Sequence, residues 1–153
     1  MVRHRPRTAD SPTVSPGRVR GITHGGIGAI HTLAQQLGLV EALDRRLQLL
    51  VIHLPYHESD HVLNIAYNAL CEGTCLEDIE LRRNDANFLN ALGARRIPET
   101  KRQLRPIAPI PSYEFDRVVE DVVNANPAIR GQALVELIME AAVKQWVSGM
   151  GCC

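Results

Sequence analysis

Apolar residues recur at intervals of three and four along short stretches of this chain, and a glycine or a proline interrupts them. This spacing places the apolar side chains on one face of an α-helix, whereas a half-buried strand would show strict alternation. The first stretch comprises Ile27, Ile30, Leu33 and Leu37, and Gly38 interrupts it. We find no run of alternating strand residues and no internal repeat. The sequence therefore predicts an all-α fold of several short helices.

Helix-capping and helix-breaking residues predict the limits of the helices. A second helix, or a kinked continuation of the first, would run through Leu39–Leu50, and Pro55 would end that segment because proline lacks an amide hydrogen. Ser59 would cap a third helix, which Gly73 would end. The other predicted caps are Thr74 in a capping box with Glu77, then Asp85, Ser112 and the pair Asn126-Pro127. The last helix would use Leu134, Leu137, Ile138 and Ala141 as its apolar face.

Proline content and charge divide the chain into four predicted regions. Residues 1–20 carry a net charge of +4 and are rich in Arg, Pro, Ser and Thr, which predicts a disordered basic arm. Residues 21–97 would form a helical domain, and four prolines mark residues 98–111 as a linker. Residues 112–153 would form a helical tail.

The overall composition is that of a globular protein in a reducing compartment. Apolar residues make up 45% of the 153 residues, and 17 basic side chains balance 17 acidic ones. The longest apolar run is too short to span a bilayer, and the basic start leads into Pro and Ser rather than an apolar block. The four cysteines form neither a disulfide framework nor a paired zinc motif. We therefore expect a cytoplasmic protein without a membrane partner.

Two clusters of basic residues are candidates for binding the DNA backbone, because basic arms attract phosphate by releasing condensed counterions. A solvated tail and a solvated linker would have the same composition. The low aromatic content, 4%, argues against the stacking platforms of single-strand and RNA binders. The candidate DNA-binding residues are Arg3, Arg5, Arg7, Arg18, Arg20, Arg95, Arg96, Lys101, Arg102 and Arg105.

The string His57-Glu58-Ser59-Asp60-His61 matches the H-E-x-x-H motif of zinc peptidases. In those enzymes two histidines one helical turn apart bind zinc, and the glutamate acts as general base. Here Pro55 lies two residues upstream, so no helical turn supports the first histidine. We therefore favour the interpretation that His57 and His61 are surface or interhelical groups without a catalytic role. A zinc peptidase remains the alternative, and we expect no bound metal.

Two further motifs have plain structural interpretations. The string His24-Gly25-Gly26-Ile27-Gly28 resembles a phosphate loop, but no strand precedes it, so it indicates a flexible entry into the first helix. The acidic residues after Gly73 indicate helix-start charges and i,i+4 pairs, such as Asp78 with Arg82, rather than a two-carboxylate metal site.

Several strings between His24 and Pro98 together resemble the N-terminal region of bacterial DDE-type insertion-sequence transposases, in the insertion-sequence 1380 group. This resemblance covers about half of the chain and includes the H-E-x-x-H string, as a family segment unrelated to proteolysis. The matching strings are Gly25–Ile27, Leu37–Leu39, His53–Leu63, Asn64–Cys71, Gly73–Glu80, Leu81–Asp85 and Leu92–Pro98.

The resemblance implies a role in DNA transposition, with contacts to the duplex DNA of insertion-sequence ends, to a further copy of the chain or to full-length transposase. It also implies that the complete family enzyme holds divalent metal (Mg) on three carboxylates of a ribonuclease-H-like core. From Glu99 onwards the sequence departs from the family pattern, as in a truncated or frameshifted gene. We assign no catalytic residue and no cofactor to this chain, and expect it alone to be inactive.

A third hypothesis is a helical self-association module. It would use apolar faces left open by truncation, and the candidate residues are Val118, Val119, Val122 and Val123.

Overall fold

The computed structural model describes residues 24–48, 50, 55–99, 112–127 and 132–149. Within these ranges the chain forms seven α-helices, one 3-10 turn and no strand, which confirms the all-α prediction. No helix in these ranges is long and apolar enough to cross a membrane. The α-helices are α1 (Ile27–Gln36), α2 (Leu39–Arg46), α3 (Glu58–Leu70), α4 (Ile79–Arg83), α5 (Ala86–Ala91), α6 (Ser112–Ala125) and α7 (Gln132–Gly149), and the 3-10 turn is Leu76–Asp78.

Helix α3 is the centre of the fold. Ten of its residues are buried, including both apolar and polar side chains. A helix buried on nearly all sides must be covered by several neighbours. Its main partner is α7, and it also packs against α2 and α4, while α6 packs on α2 and α7. One cluster of buried apolar residues extends from Ile27 to Trp146 and joins all these helices.

A buried hydrogen-bond network ties α3 to α7. The Asn68 side chain is completely buried, and its Nδ2 donates to Gln145 Oε1 at 3.1 Å and to the Cys75 carbonyl at 2.9 Å. Gln145 Nε2 in turn donates to the Gly73 carbonyl at 2.9 Å. A methyl group on Gly73 would collide with the Asn68 side-chain amide, so only glycine leaves room for it.

The C-terminus of α3 ends in a Schellman motif. The Gly73 amide donates to the Asn68 carbonyl at 2.8 Å, and the Glu72 amide donates to the Ala69 carbonyl at 3.1 Å. The left-handed residue is Glu72 (φ 64°) rather than the predicted terminator Gly73. Gly73 is needed here for the close approach of Asn68, which a local turn rule does not consider.

One predicted N-cap is displaced along the chain, and another is confirmed. The N-cap of α3 is His57 rather than Ser59, because the Asp60 carboxylate accepts the His57 amide at 2.9 Å. The Ser59 amide is taken instead by Asp44 Oδ1 at 2.8 Å, a long-range contact from α2. Asp85 is confirmed as the N-cap of α5, since its Oδ1 accepts the amides of two residues in the first turn.

The capping box predicted from Thr74 and Glu77 is also wrong by one residue. The 3-10 turn has Cys75 as its N-cap, and Asp78 Oδ2 accepts the amides of Cys75 at 3.2 Å and Thr74 at 2.7 Å. Because the Asp78 carboxylate accepts these two backbone amides, it does not form the predicted pair with Arg82. The Arg82 guanidinium donates to the Cys71 carbonyl instead.

Helix α2 is shorter than predicted. It ends at Arg46, and Leu47 continues in an extended conformation with its side chain 2% exposed. Pro55 is therefore not what ends this helix. Arg46 in the last turn instead binds Asp121 of α6 through two 2.7 Å contacts, which ties the end of α2 to a distant helix.

The predicted opening of the last helix at Asn126-Pro127 leads into residues 128–131, which lie outside the described residues. Helix α7 is described over Gln132–Gly149. Asn126 Nδ2 donates to the carbonyls of Leu37 and Val122, both at 2.8 Å, and so joins the end of α6 to the end of α1. Each of these two carbonyls lies at or near a helix end, where an added donor satisfies it.

The buried face of α7 is shifted by one residue from the predicted face. Ile138 is buried as expected, but Leu137 is 48% exposed. The four valines proposed for self-association are not all available either, because Val118 and Val122 are buried in the core. The apolar residues of α7 that are buried are Val135, Ile138, Met139, Ala142 and Trp146.

We predict that Glu72→Gly stabilises the protein by about 0.5–1 kcal/mol. A left-handed conformation costs a non-glycine residue about 1–2 kcal/mol, and the extra freedom of glycine in the unfolded chain offsets part of the gain. Urea denaturation would measure this change. Glu72→Ala serves as the control, since it removes the charge but keeps the backbone penalty. A destabilised Glu72→Gly variant would contradict the prediction.

We predict that Asn68→Ala destabilises the protein by about 2 kcal/mol, because Gln145 Oε1 and the Cys75 carbonyl lose a buried donor. The double variant with Gln145→Ala should cost less than the sum of the single variants, by about 1 kcal/mol. The exposed Asn90→Ala on α5 is the matched control, expected within about 0.5 kcal/mol of the parent. Additive single effects would show that the two amides do not act together.

Candidate functional site

Two of the ten candidate DNA-binding residues, Arg95 and Arg96, lie in the described part of the chain, and both are exposed. They occupy a short segment that is held at both ends. Before it, Gly93 has φ 64° and the Ala94 amide donates to the Leu89 carbonyl at 2.9 Å. After it, Ile97 is 6% exposed. The candidates outside the described residues are Arg3, Arg5, Arg7, Arg18, Arg20, Lys101, Arg102 and Arg105.

Several other arginines of the described ranges form ion pairs with carboxylates. Arg46 and Asp121 form a two-contact ion pair, and the Arg46 hydrogen bond lowers the pKa of Asp121 to about 2. Arg83 contacts Glu80 at 2.8 Å and Glu99 at 3.3 Å. Neither Arg95 nor Arg96 forms an ion pair with a carboxylate of the described residues. Both guanidinium groups thus carry a charge that no carboxylate of the described residues neutralises.

The two histidines of the H-E-x-x-H string lie in different environments. His57 precedes α3 and is exposed, whereas His61 is 4% exposed and its ring meets that of Tyr56 edge-on at 6.2 Å. Burial lowers the pKa of His61. Glu58 is itself buried, and its carboxylate accepts the Leu50 amide at 3.5 Å. The described residues bring no third His, Cys, Asp or Glu ligand to this pair.

One glycine in the first turn of α1 is required for packing. A methyl group on Gly28 would lie 2.7 Å from the Ala91 carbonyl oxygen, so the absence of a side chain lets α1 approach the end of α5. Gly26 is the N-cap of α1 and has no side chain to cap it, and His24 in the preceding turn has φ 64°. This turn enters the helix as the glycine-rich sequence predicted.

A cavity of about 240 Å³ lies between α1, α3 and the segment that carries the exposed arginines, and no sequence pattern predicted it. Its polar and aromatic lining residues are His31, Tyr56, Asp60, Asn64, Tyr67 and Arg96. Its apolar lining residues are Leu63, Leu92, Ala94, Ile97 and Pro98. Asp60, Asn64 and Tyr67 follow one another at i, i+4 and i+7 along α3, which is the one pattern that could have indicated a polar face.

A neutral hydrogen-bonded pair forms one wall of the cavity. His31 Nδ1 lies 3.0 Å from the Tyr67 hydroxyl, and the two rings are perpendicular with centroids 5.7 Å apart. Burial lowers the pKa of His31 and raises the pKa of Tyr67, so both side chains are uncharged near neutral pH. This wall can donate or accept a hydrogen bond without changing the charge of the cavity.

Comparison with protein-family models, with curated proteins and with solved structures gave no match for this chain.

We predict that the free energy of unfolding falls as the pH decreases from about 6.5 to 5. Burial lowers the pKa of both His31 and His61, so the unfolded chain, with histidines near 6.5, binds more protons than the folded one in this range. Asp78 and Asp121 also have a lowered pKa, but these carboxylates change the free energy of unfolding only below about pH 4.

Denaturant unfolding at several pH values would measure the decline. The double variant His31→Gln/His61→Gln should lose most of it, because glutamine does not titrate. An equal decline in the double variant would assign the pH dependence to other groups.

Proposed function

We propose that this chain is a transposase-derived helical protein that holds the duplex DNA of insertion-sequence ends and does not cut or join DNA by itself. The resemblance of His24–Pro98 to the N-terminal region of insertion-sequence transposases supports this proposal. No catalytic carboxylate of that family is carried over, because the matching strings lie upstream of the region where the family keeps its catalytic core.

The exposure of Arg95 and Arg96 is the observation that carries the proposal. Their segment is fixed by the turn at Gly93 and by the burial of Ile97, so both guanidinium groups sit on an ordered part of the surface. The backbone that carries these two cations therefore loses little conformational freedom when they meet a phosphate. Contacts of this kind hold the protein on the duplex and carry no base sequence information.

The basic residues of 1–20 would add a second, longer contact. This arm carries a net charge of +4, while the rest of the chain carries −4. The arm would attract the DNA backbone at long range, and Arg95 and Arg96 would contact it at close range. Both contributions weaken as salt is added, because each neutralised phosphate releases condensed counterions.

We predict that the full chain binds duplex DNA with a salt dependence whose log-log slope is several units. Arg95→Ala/Arg96→Ala should reduce that slope by about 2, since each phosphate contact contributes about 0.9. Fluorescence anisotropy of a labelled duplex between low and moderate salt measures both slopes. Arg117→Ala is the matched control, because Arg117 is exposed and lies over the Tyr113 ring 5.7 Å away, outside the candidate set.

A slope that is flat in the parent protein would overturn the proposal. A loss of slope of about 0.9 in the Arg117→Ala variant, half that of the double variant, would show that general charge, and not the Arg95-Arg96 segment, governs binding. Nicking or joining of labelled element ends by the purified chain with Mg²⁺ would contradict the statement that it does not act on DNA alone.

A further inference from the structure

A groove of about 690 Å³ with an apolar floor lies between α6 and α7. Phe115 and Met139 on this floor are buried, whereas Val119, Val123 and Val143 are half-buried. The spacing is i, i+4 and i+8 on α6 and i and i+4 on α7, so each helix contributes one apolar stripe. Val119 and Val123 belong to the four valines predicted to be available for self-association. The floor therefore exposes apolar surface that the apolar side chains of a partner would remove from water.

The rim of this groove is acidic. Asp116 and Glu120 line it from α6 and Glu136 and Glu140 from α7, and all four side chains are exposed. None of them forms an ion pair with a lysine or arginine of the described ranges. Each helix carries its two acids at i and i+4, a spacing at which like charges repel. With Lys144 as the one basic lining residue, the lining carries a net charge of −3.

The length of the groove matches a short helix. Its lining extends from Phe115 to Val123 on α6 and from Gln132 to Lys144 on α7. At 1.5 Å per residue these stretches are about 12 Å and about 18 Å long, the length of two to three helical turns. An amphipathic helix laid in such a groove would place apolar side chains at i, i+4 and i+7 on the floor.

We propose that the groove between α6 and α7 binds a basic amphipathic helix of a partner protein. The apolar face of that helix would contact the floor, and lysines or arginines on both sides of this face would meet the carboxylates of the rim. The floor alone would accept any amphipathic helix, whereas the acidic rim on both helices favours a basic one and disfavours an acidic one. The proposal does not depend on the DNA-binding function.

The charge of the rim also argues against a second copy of this chain as the occupant. Two such grooves placed face to face would bring together eight carboxylates and only two lysines. Like charges placed opposite each other in an interface oppose association. The complementary partner is therefore a chain of the opposite charge.

The test is a titration of the full chain with three labelled peptides, followed by fluorescence anisotropy. The first peptide is about 16 residues long, which is enough to cover the groove, and has leucines on one helical face with lysines on both sides. The second has the same composition in scrambled order, and the third has glutamate in place of each lysine. We expect the first peptide to bind with a micromolar Kd and the other two at least about tenfold more weakly.

Equal affinity for the scrambled peptide would show attraction to charge alone and would overturn the proposal. Equal affinity for the glutamate peptide would show that the acidic rim does not select the partner, with the same consequence. Failure of the first peptide to bind at millimolar concentration would also refute it.

Charge reversal locates the binding site. Asp116→Lys/Glu140→Lys changes one carboxylate on each helix of the groove and should weaken the lysine peptide about tenfold. Glu41→Lys/Glu77→Lys is the matched control, because both residues are exposed acids that do not line the groove. It changes the net charge equally and should leave the affinity within about twofold of the parent. An equal loss in this control would assign binding to the overall charge of the protein and contradict the proposal.

Two measurements on the unaltered protein complete the test. Nuclear Overhauser contacts from the leucine methyl groups of the peptide to the Val119 and Val143 methyl groups would place the helix on the floor, and contacts elsewhere would refute the assignment. Sedimentation velocity at several concentrations tests the second copy as occupant. A dimer that Asp116→Lys/Glu140→Lys dissociates would give the groove to a second copy and overturn the proposal.

Discussion

The contact between α3 and α7 is the interaction on which the rest of the structure depends. It brings the longest helix of the described chain onto the most deeply buried one, and its polar centre is the Asn68–Gln145 pair. A buried amide pair adds little net stability, but it accepts only one register because any sliding leaves both amides unpaired. The glycine at position 73 completes this arrangement, since a side chain there would displace Asn68.

Burial of α3 on several sides explains why its polar residues matter. On a surface helix, the side chains of Asp60, Asn64 and Tyr67 would be exposed to water. Here Asn64 and Tyr67 are buried because α1 and the segment after α5 cover that face. The same covering lowers the pKa of His31 and so keeps the wall of the cavity neutral. The cavity is thus a consequence of how the helices surround α3, and its chemistry follows from the side chains that burial removes from water.

Local patterns in the sequence predict the helix type well and the helix ends less well. The three-and-four spacing of apolar residues and the cap at Asp85 are both confirmed, because they depend on neighbouring residues alone. The cap predicted at Ser59 is wrong, because the Ser59 amide donates to Asp44, 15 residues away, and His57 is the N-cap instead. The cavity could not be predicted, since His31 and Tyr67 lie 36 residues apart and only packing brings them to 3.0 Å.

The position of Arg96 connects the two surfaces of this region. Its neighbour Arg95 faces solvent only, whereas Arg96 both lines the cavity and belongs to the exposed basic pair. One guanidinium offers five donors in a planar fork, so Arg96 can contact a group in the cavity and, under the proposed function, a phosphate of the DNA backbone from the same segment.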